Sequence, residues 1–307
     1  MRRALVAAVA TLALPAALAA CGSASATGVS SNGIVSVVAA ENEYGNVASQ
    51  IGGRYVQVSS VQSNPNTDPH TYEVSPNVAG EVAGAGLVVQ NGVGYDTFMD
   101  RIESASPNAN RKVVNVQHLL GLPDDTPNPH LWYDPKTMPA VATAIGNDLA
   151  KLDPSHAAYF HTNVTTFDAA LQPWLSAIAA FNAKHGGTTA ATTEPVADYL
   201  LSAMGIDNRT PFAFQADVMN GTDPTPQDIA LENGFFSKHQ VKLFAYNQQV
   251  VDSLTESIRA NAQQAGVPVV GVYETMPTPG YTYQSWMLAE TNAIAAAVEH
   301  GTSTLHL

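Results

Sequence analysis

Short apolar runs alternate with segments of helical periodicity along most of the chain. In the first half, β-branched or apolar residues predict strands at 34–39, 56–61, 87–90 and 112–116. A second series follows, with strands predicted near 188–192, 212–214, 242–246 and 267–273. Because alternating strands and helices are typical of a parallel sheet covered by helices, the pattern predicts two α/β lobes.

A long helical pattern separates the two series of strands. Asp153 followed by Pro154 is a helix-start signal, and apolar residues recur at helical spacing until Gly186. Pro173 lies inside this pattern and predicts a kink or a break. The predicted organisation is an N-terminal lobe over 34–154, one linker helix over 155–185 and a C-terminal lobe over 186–307.

The N-terminus has the pattern of an export signal. Two arginines precede an uncharged stretch from Ala4 to Leu18, which is shorter than the roughly 20 residues that span a bilayer. Small residues then lead into Cys21, the only cysteine of the chain. We expect residues 1–20 to be a lipoprotein signal peptide, Cys21 to be lipidated and residues 21–33 to be a flexible tether. The predicted location is extracytoplasmic, with the lipid anchoring the protein to the cell membrane.

Composition argues against several classes of function. The chain has 13 Lys and Arg against 26 Asp and Glu, a net charge of −13, which disfavours nucleic acid as a partner. A single cysteine excludes a disulfide framework and any Cys-rich zinc or iron–sulfur site. The sequence contains no HExxH, P-loop, GxSxG or helix-opening GxGxxG motif. The remaining candidate chemistry depends on histidines and carboxylates.

Two similar segments each present a histidine after a proline: DPHTY contains His70 and NPHLW contains His130. Proline restricts its own backbone and that of the residue before it, so each histidine lies on a stiff loop. Glu194 and Glu274 directly follow predicted strands, where open α/β sheets bind ligands, although either could instead be a charge at a helix N-terminus. Two imidazoles and two carboxylates suit a divalent first-row cation held between the lobes.

In their order and spacing, these motifs resemble the solute-binding lipoproteins of zinc and manganese ABC importers. The resemblance covers nearly the whole mature chain. It is carried by the lipobox at Cys21, DPHTYEVSP from residue 68, NGVGYD from residue 91, NPHLWYDP from residue 128, LDPSHAAYF from residue 152 and YETMPTPGYTYQSWM from residue 273.

The resemblance implies an α/β fold of two (β/α) lobes with parallel sheets, joined by one long linker helix, with a metal site in the inter-lobe cleft. The family's ligand positions fall on His70, His130, Glu194 and Glu274. The fourth position is usually Asp in the family, so Asp217 and Asp223 are reserve candidates. At Asn247-Gln248 the chain departs from the family pattern, which often has a glutamate there.

The implied protein is a monomeric carrier and not an enzyme. It would bind one divalent cation, Zn²⁺ or Mn²⁺, and deliver it to an ABC permease that works with a cytoplasmic ATPase. Two carboxylates favour manganese, whereas intrinsic affinity favours zinc, so the choice of metal stays open. Two alternative functions also stay open: an exported mononuclear metallohydrolase, and an adhesin-like surface lipoprotein with a structural metal.

Overall fold

The computed structural model describes residues 28–30, 32–71, 74–277 and 279–307. The predicted signal peptide, Cys21 and part of the predicted tether lie outside the described residues. Among the described residues, no helix combines the length and the apolar character needed to cross a bilayer.

Two four-stranded parallel sheets form the framework, one in each predicted lobe. The strands are β1 Val35–Glu41, β2 Val56–Gln62, β3 Leu87–Gln90, β4 Lys112–Asn115, β5 Thr189–Thr192, β6 Asp207–Asn208, β7 Leu243–Asn247 and β8 Val269–Val272. The first sheet has the order β2-β1-β3-β4 and the second β6-β5-β7-β8. Val37 pairs with Val58 on one side and Leu87 on the other, and Ala191 pairs with Phe244. The predicted fold class is therefore confirmed.

The helices connect the strands and cover the sheets. They are α1 Asn42–Gly52, α2 Pro76–Gly84, α3 Thr97–Ala105, α4 Val116–Leu120, α5 Thr137–Leu152, α6 Ala157–Ala170, α7 Gln172–His185, α8 Asp198–Ala203, α9 Phe212–Met219, α10 Pro226–Ser237, α11 Ser253–Gln264 and α12 Tyr283–His300. Short 3₁₀ turns lie at 53–55, 69–71, 131–133 and 154–156. The strand order reverses between β1 and β3 in the first sheet and between β5 and β7 in the second. In open α/β sheets, ligands bind at such a reversal, between the loops that follow the carboxyl ends of the strands.

The segment 155–185 contains two helices, α6 and α7, separated at Leu171. Pro173 occupies the second position of α7, where its missing N–H and its ring are tolerated at a helix start. The single linker helix expected over this segment is thus interrupted. α6 packs against α5 and α1 of the N-terminal lobe, whereas α7 packs against α12 of the C-terminal lobe. Residues from both lobes and both helices form one continuous apolar core.

The strand predicted at 212–214 is wrong, because these residues begin helix α9. Pro211 has the extended backbone of a helix N-cap, and Phe214 is buried while Phe212 is exposed, as expected for one face of a helix. A run of three apolar residues is too short to distinguish the two periodicities. The edge strand β6 was not predicted because it is short and polar.

Candidate metal centre

Glu274 lies at the centre of the predicted site, two residues after the end of β8. Its Oε2 atom is 3.0 Å from His70 Nε2 and 3.2 Å from His130 Nε2. The side chains of Glu274 and His130 are fully buried, and that of His70 is 21% exposed. One ligand atom from each of these residues lies within 4.8 Å of the others. The structure thus brings three of the four predicted ligand residues together.

Asn128 holds the His130 ring in a defined tautomer. Its Nδ2 donates to Pro195 O at 2.8 Å, so its Oδ1, 2.8 Å from His130 Nδ1, accepts from that ring nitrogen. Burial lowers the pKa of His130 and favours the neutral ring. The Nε2 lone pair then faces the Glu274 carboxylate, an arrangement that a cation between the two groups would stabilise. The donor set therefore fits a divalent metal ion.

The loop that carries His70 is held from within its own lobe. Asp68 Oδ1 accepts from the His70 backbone N–H at 2.8 Å, and Gln62 Nε2 donates to Pro69 O at 2.9 Å. Burial would lower the pKa of His70, but attraction to Glu274 outweighs it and raises the pKa to about 9. Burial would likewise raise the pKa of Glu274, yet the two imidazoles hold it well below its ordinary value. Glu274 is therefore ionised and ready to bind a cation.

Glu194 lies two residues after the end of β5, beside the group of three but outside it. It is buried, its Oε1 accepts from Asn247 Nδ2 at 3.1 Å, and its Oε2 has no hydrogen-bond partner. Burial and the nearby charge of Glu274 raise its pKa well above the usual range. A buried carboxyl with an unsatisfied oxygen needs a proton or a cation as a partner. Its role as a ligand stays a prediction.

The reserve candidates Asp217 and Asp223 do not belong to the group of three. Asp217, near the end of α9, accepts from the Thr222 hydroxyl at 3.3 Å. Asp223 is exposed in the loop that follows. Of the three candidates for the fourth position, Glu274 is the one that lies beside His70 and His130, and its role as a ligand stays a prediction.

Two polar residues at the site were not assigned a role from the sequence. The Tyr95 hydroxyl donates to Glu274 Oε2 at 2.9 Å. Asn247 Nδ2 donates to Glu274 Oε1 at 2.7 Å as well as to Glu194, so one amide bridges both acidic side chains. Tyr95 belongs to the NGVGYD motif, and Asn247 directly follows the strand predicted at 242–246, so the sequence pointed to both positions.

A cleft of about 410 Å³ opens beside His70. Tyr95 and Arg101 line it from the N-terminal lobe, and Val218 and Met219 line it from the C-terminal lobe. The exposed part of the His70 side chain therefore faces a cleft between the two lobes.

Known proteins resemble the chain in sequence and in fold. It is 28% identical over 178 residues to the manganese-binding lipoprotein MntA of Bacillus subtilis (strain 168), covering 56% of this chain and 57% of the relative. It is 26% identical over 162 residues to the manganese ABC transporter substrate-binding lipoprotein scaA of Streptococcus gordonii, covering 49% of this chain and 52% of the relative. The chain thus spans about half the length of these curated relatives.

The fold is similar to that of the SBP FpvC of Pseudomonas aeruginosa in complex with Ni²⁺. The TM-score is 0.71 at 20% identity, covering 89% of this chain and 100% of that chain. At this level of identity the likeness establishes the fold alone.

The family described as zinc-uptake complex component A, periplasmic, matches residues 37–297. The match begins within β1 and ends within α12, so it includes both sheets and all four predicted ligand positions. The family resemblance seen in the sequence motifs is confirmed. The chain belongs to the zinc-uptake complex component A periplasmic family.

Proposed function

We propose that the protein is an extracytoplasmic solute-binding lipoprotein that captures one divalent cation, Zn²⁺ or Mn²⁺, and delivers it to an ABC permease for import. The observation that carries this proposal is the buried convergence of His70, His130 and Glu274. Membership of a zinc-uptake family and similarity to two manganese lipoproteins support it.

The proposed ligands are the Nε2 atoms of His70 and His130 and the carboxylates of Glu194 and Glu274. Two nitrogens and two carboxylates suit both zinc and manganese. Four protein ligands would close the shell of a tetrahedral ion and leave no position for a reactive water, as a carrier requires. We therefore propose transport and no catalysis.

The cation replaces protons when it binds. The pKa of Glu194 is raised well above the usual range by burial and by Glu274, and that of His70 is raised to about 9 because Glu274 outweighs burial. His70 therefore holds a proton near neutral pH when no cation is bound, and the shift at Glu194 favours its protonated form. Capture therefore releases protons, and affinity falls as the pH decreases.

For delivery, a permease contacts both lobes of the protein at once. The permease works with a cytoplasmic ATPase. A lipid on Cys21 keeps the monomeric protein near that permease at the membrane. Since one apolar core continues through both lobes, release uses small local movements of the ligand loops in place of a wide hinge opening.

Metal analysis and calorimetry with Zn²⁺ and Mn²⁺ test the proposal. We expect one tightly bound ion per chain. Substitution of a residue that only orients a metal ligand weakens binding by up to roughly 100-fold. Replacing a proposed ligand itself, His130 by Ala or Glu274 by Gln, is expected to weaken binding by more than that. Unchanged affinity in both variants would overturn the proposed site.

Matched controls are available on the surface. His161 is exposed on α6 and Asp223 is exposed after α9. The substitutions His161→Ala and Asp223→Asn are expected to leave affinity and stoichiometry unchanged. The second control also tests the reserve ligand, because a loss of binding there would move the fourth ligand from Glu274 to Asp223.

A further inference from the structure

Gln249 lies two residues after the end of β7, where loops of the two lobes meet, and is 6% exposed. Its Oε1 accepts from the backbone N–H groups of Glu274 and Thr275, both at 2.7 Å. Its Nε2 donates to Thr67 O at 2.9 Å and to the Thr275 hydroxyl at 3.1 Å. The side-chain amide therefore makes four hydrogen bonds, the full number expected for a buried glutamine.

These bonds join the backbones that carry two of the proposed ligands. Thr67 is three residues before His70 in the N-terminal lobe, whereas Glu274 belongs to the C-terminal lobe. The hydrogen bonds to the His70 loop from Gln62 and Asp68 come from its own lobe, whereas the bond from Gln249 and the contact of His70 with Glu274 cross to the C-terminal lobe. The bond from Gln249 to Thr67 must therefore break when this loop moves away from the C-terminal lobe.

The same turn also contacts the acidic side chains. The backbone N–H of Gln249 donates to Asn247 Oδ1 at 3.0 Å, which orients the Asn247 amide toward Glu194 and Glu274. The buried turn that holds the Thr67 carbonyl therefore also contacts the proposed carboxylate ligands.

We propose that Gln249 is a positioning residue that holds the His70 loop against the Glu274 loop and thereby limits the rate of cation release. This inference rests on the proposed function. The amide does not touch the cation; it acts through the backbone of two ligand loops.

The variant Q249E separates the two halves of this contact. One carboxylate oxygen can still accept from the backbone N–H groups of Glu274 and Thr275. When the new carboxyl is ionised, its other oxygen replaces a donor and faces Thr67 O, so the inter-lobe bond is lost. Loss of one buried hydrogen bond is expected to speed cation release by about tenfold. The added negative charge by itself would slow release, so the two effects have opposite signs.

Release of Zn²⁺ and Mn²⁺ into excess chelator, followed by stopped flow, measures this rate. The matched control is Q263E, which adds the same charge at an exposed position of α11. A second readout needs no metal: amide hydrogen exchange of the 64–71 loop is expected to be faster in Q249E and unchanged in Q263E. A purely structural role of Gln249 in its own turn would not change exchange in that loop.

Faster release together with faster exchange of the 64–71 loop supports the inference. Unchanged exchange in the loop overturns it, and so does release at the wild-type rate or slower in Q249M, which removes the inter-lobe bond without adding charge. Should Q249E fail to fold, Q249M is subject to the same criteria, and it also removes the oxygen that accepts from the backbone N–H groups of Glu274 and Thr275. If the wild-type protein binds neither cation, the proposed function fails, whereas hydrogen exchange still tests the contact itself.

Discussion

Glu290 makes stability depend on pH in a direction opposite to that of most carboxylates. It is fully buried on α12, and burial raises its pKa to about 8, against hydrogen bonds that lower it. The Tyr133 hydroxyl lies 2.8 Å from both Tyr273 O and Glu290 Oε2. Because this hydroxyl has one proton, both contacts are satisfied when Glu290 is protonated and donates to the tyrosine oxygen.

The sign follows from proton counting. Between pH 4.5 and about 8, Glu290 is ionised in the unfolded chain but protonated in the folded protein. The folded state then binds more protons, so the free energy of unfolding decreases as the pH rises. At about 1.4 kcal/mol per pH unit, the loss over this window is on the order of 5 kcal/mol.

The substitution Glu290→Gln is therefore expected to stabilise the protein at pH 8 and to change its stability little near pH 4.5. The amide can donate to Tyr133 and accept from Trp286 Nε1, which now donates to Glu290 Oε1 at 2.8 Å. Urea unfolding of both proteins at several pH values from 5 to 8 measures the difference. The control is Glu81→Gln, at an exposed position. Curves for the wild type and Glu290→Gln that stay parallel over this range would refute the reasoning.

Three further predictions concern the site and one helix end. Asn247→Leu removes the donor shared by the two proposed acidic ligands and is expected to weaken metal binding by about 10- to 100-fold, measured by chelator competition. Affinity for Zn²⁺ is expected to rise between pH 6 and pH 9, because the raised pKa of His70, about 9, keeps a competing proton on this proposed ligand at lower pH; a flat calorimetric profile would contradict this. Thr282→Ala removes the capping box of α12 and is expected to lower the free energy of unfolding by about 1 kcal/mol, with metal affinity unchanged.

The two-lobe architecture was predictable because its signals are local. Strands buried on both faces read as apolar runs, and the intervening helices have their own periodicity, so neither signal depends on distant residues. The prediction was wrong at 212–214, where three apolar residues belong to a helix, whereas a kink or a break was predicted at Pro173 and the structure has a break there. The domain boundaries stay a prediction.

Part of the candidate site could be predicted from the sequence for a related reason. Glu194 and Glu274 follow strands, and the carboxyl ends of parallel strands lie along one edge of a sheet, so their neighbourhood could be expected. The relative position of the two lobes could not be predicted from the sequence. Tyr95 and Asn247 contact Glu274 only because the fold brings together residues 179 and 27 positions apart.

The sequence alone determined which residue types are available, which strands are buried and where the loops begin, since these depend on side-chain chemistry and short-range periodicity. The tertiary structure decided which of these groups meet. The bond from Gln249 to Thr67 joins residues 182 positions apart, and the shifted pKa values of Glu194 and Glu290 depend on burial by both neighbouring and distant segments. Burial and long-range contacts are properties of the packed chain as a whole, and no local pattern of residues specifies them.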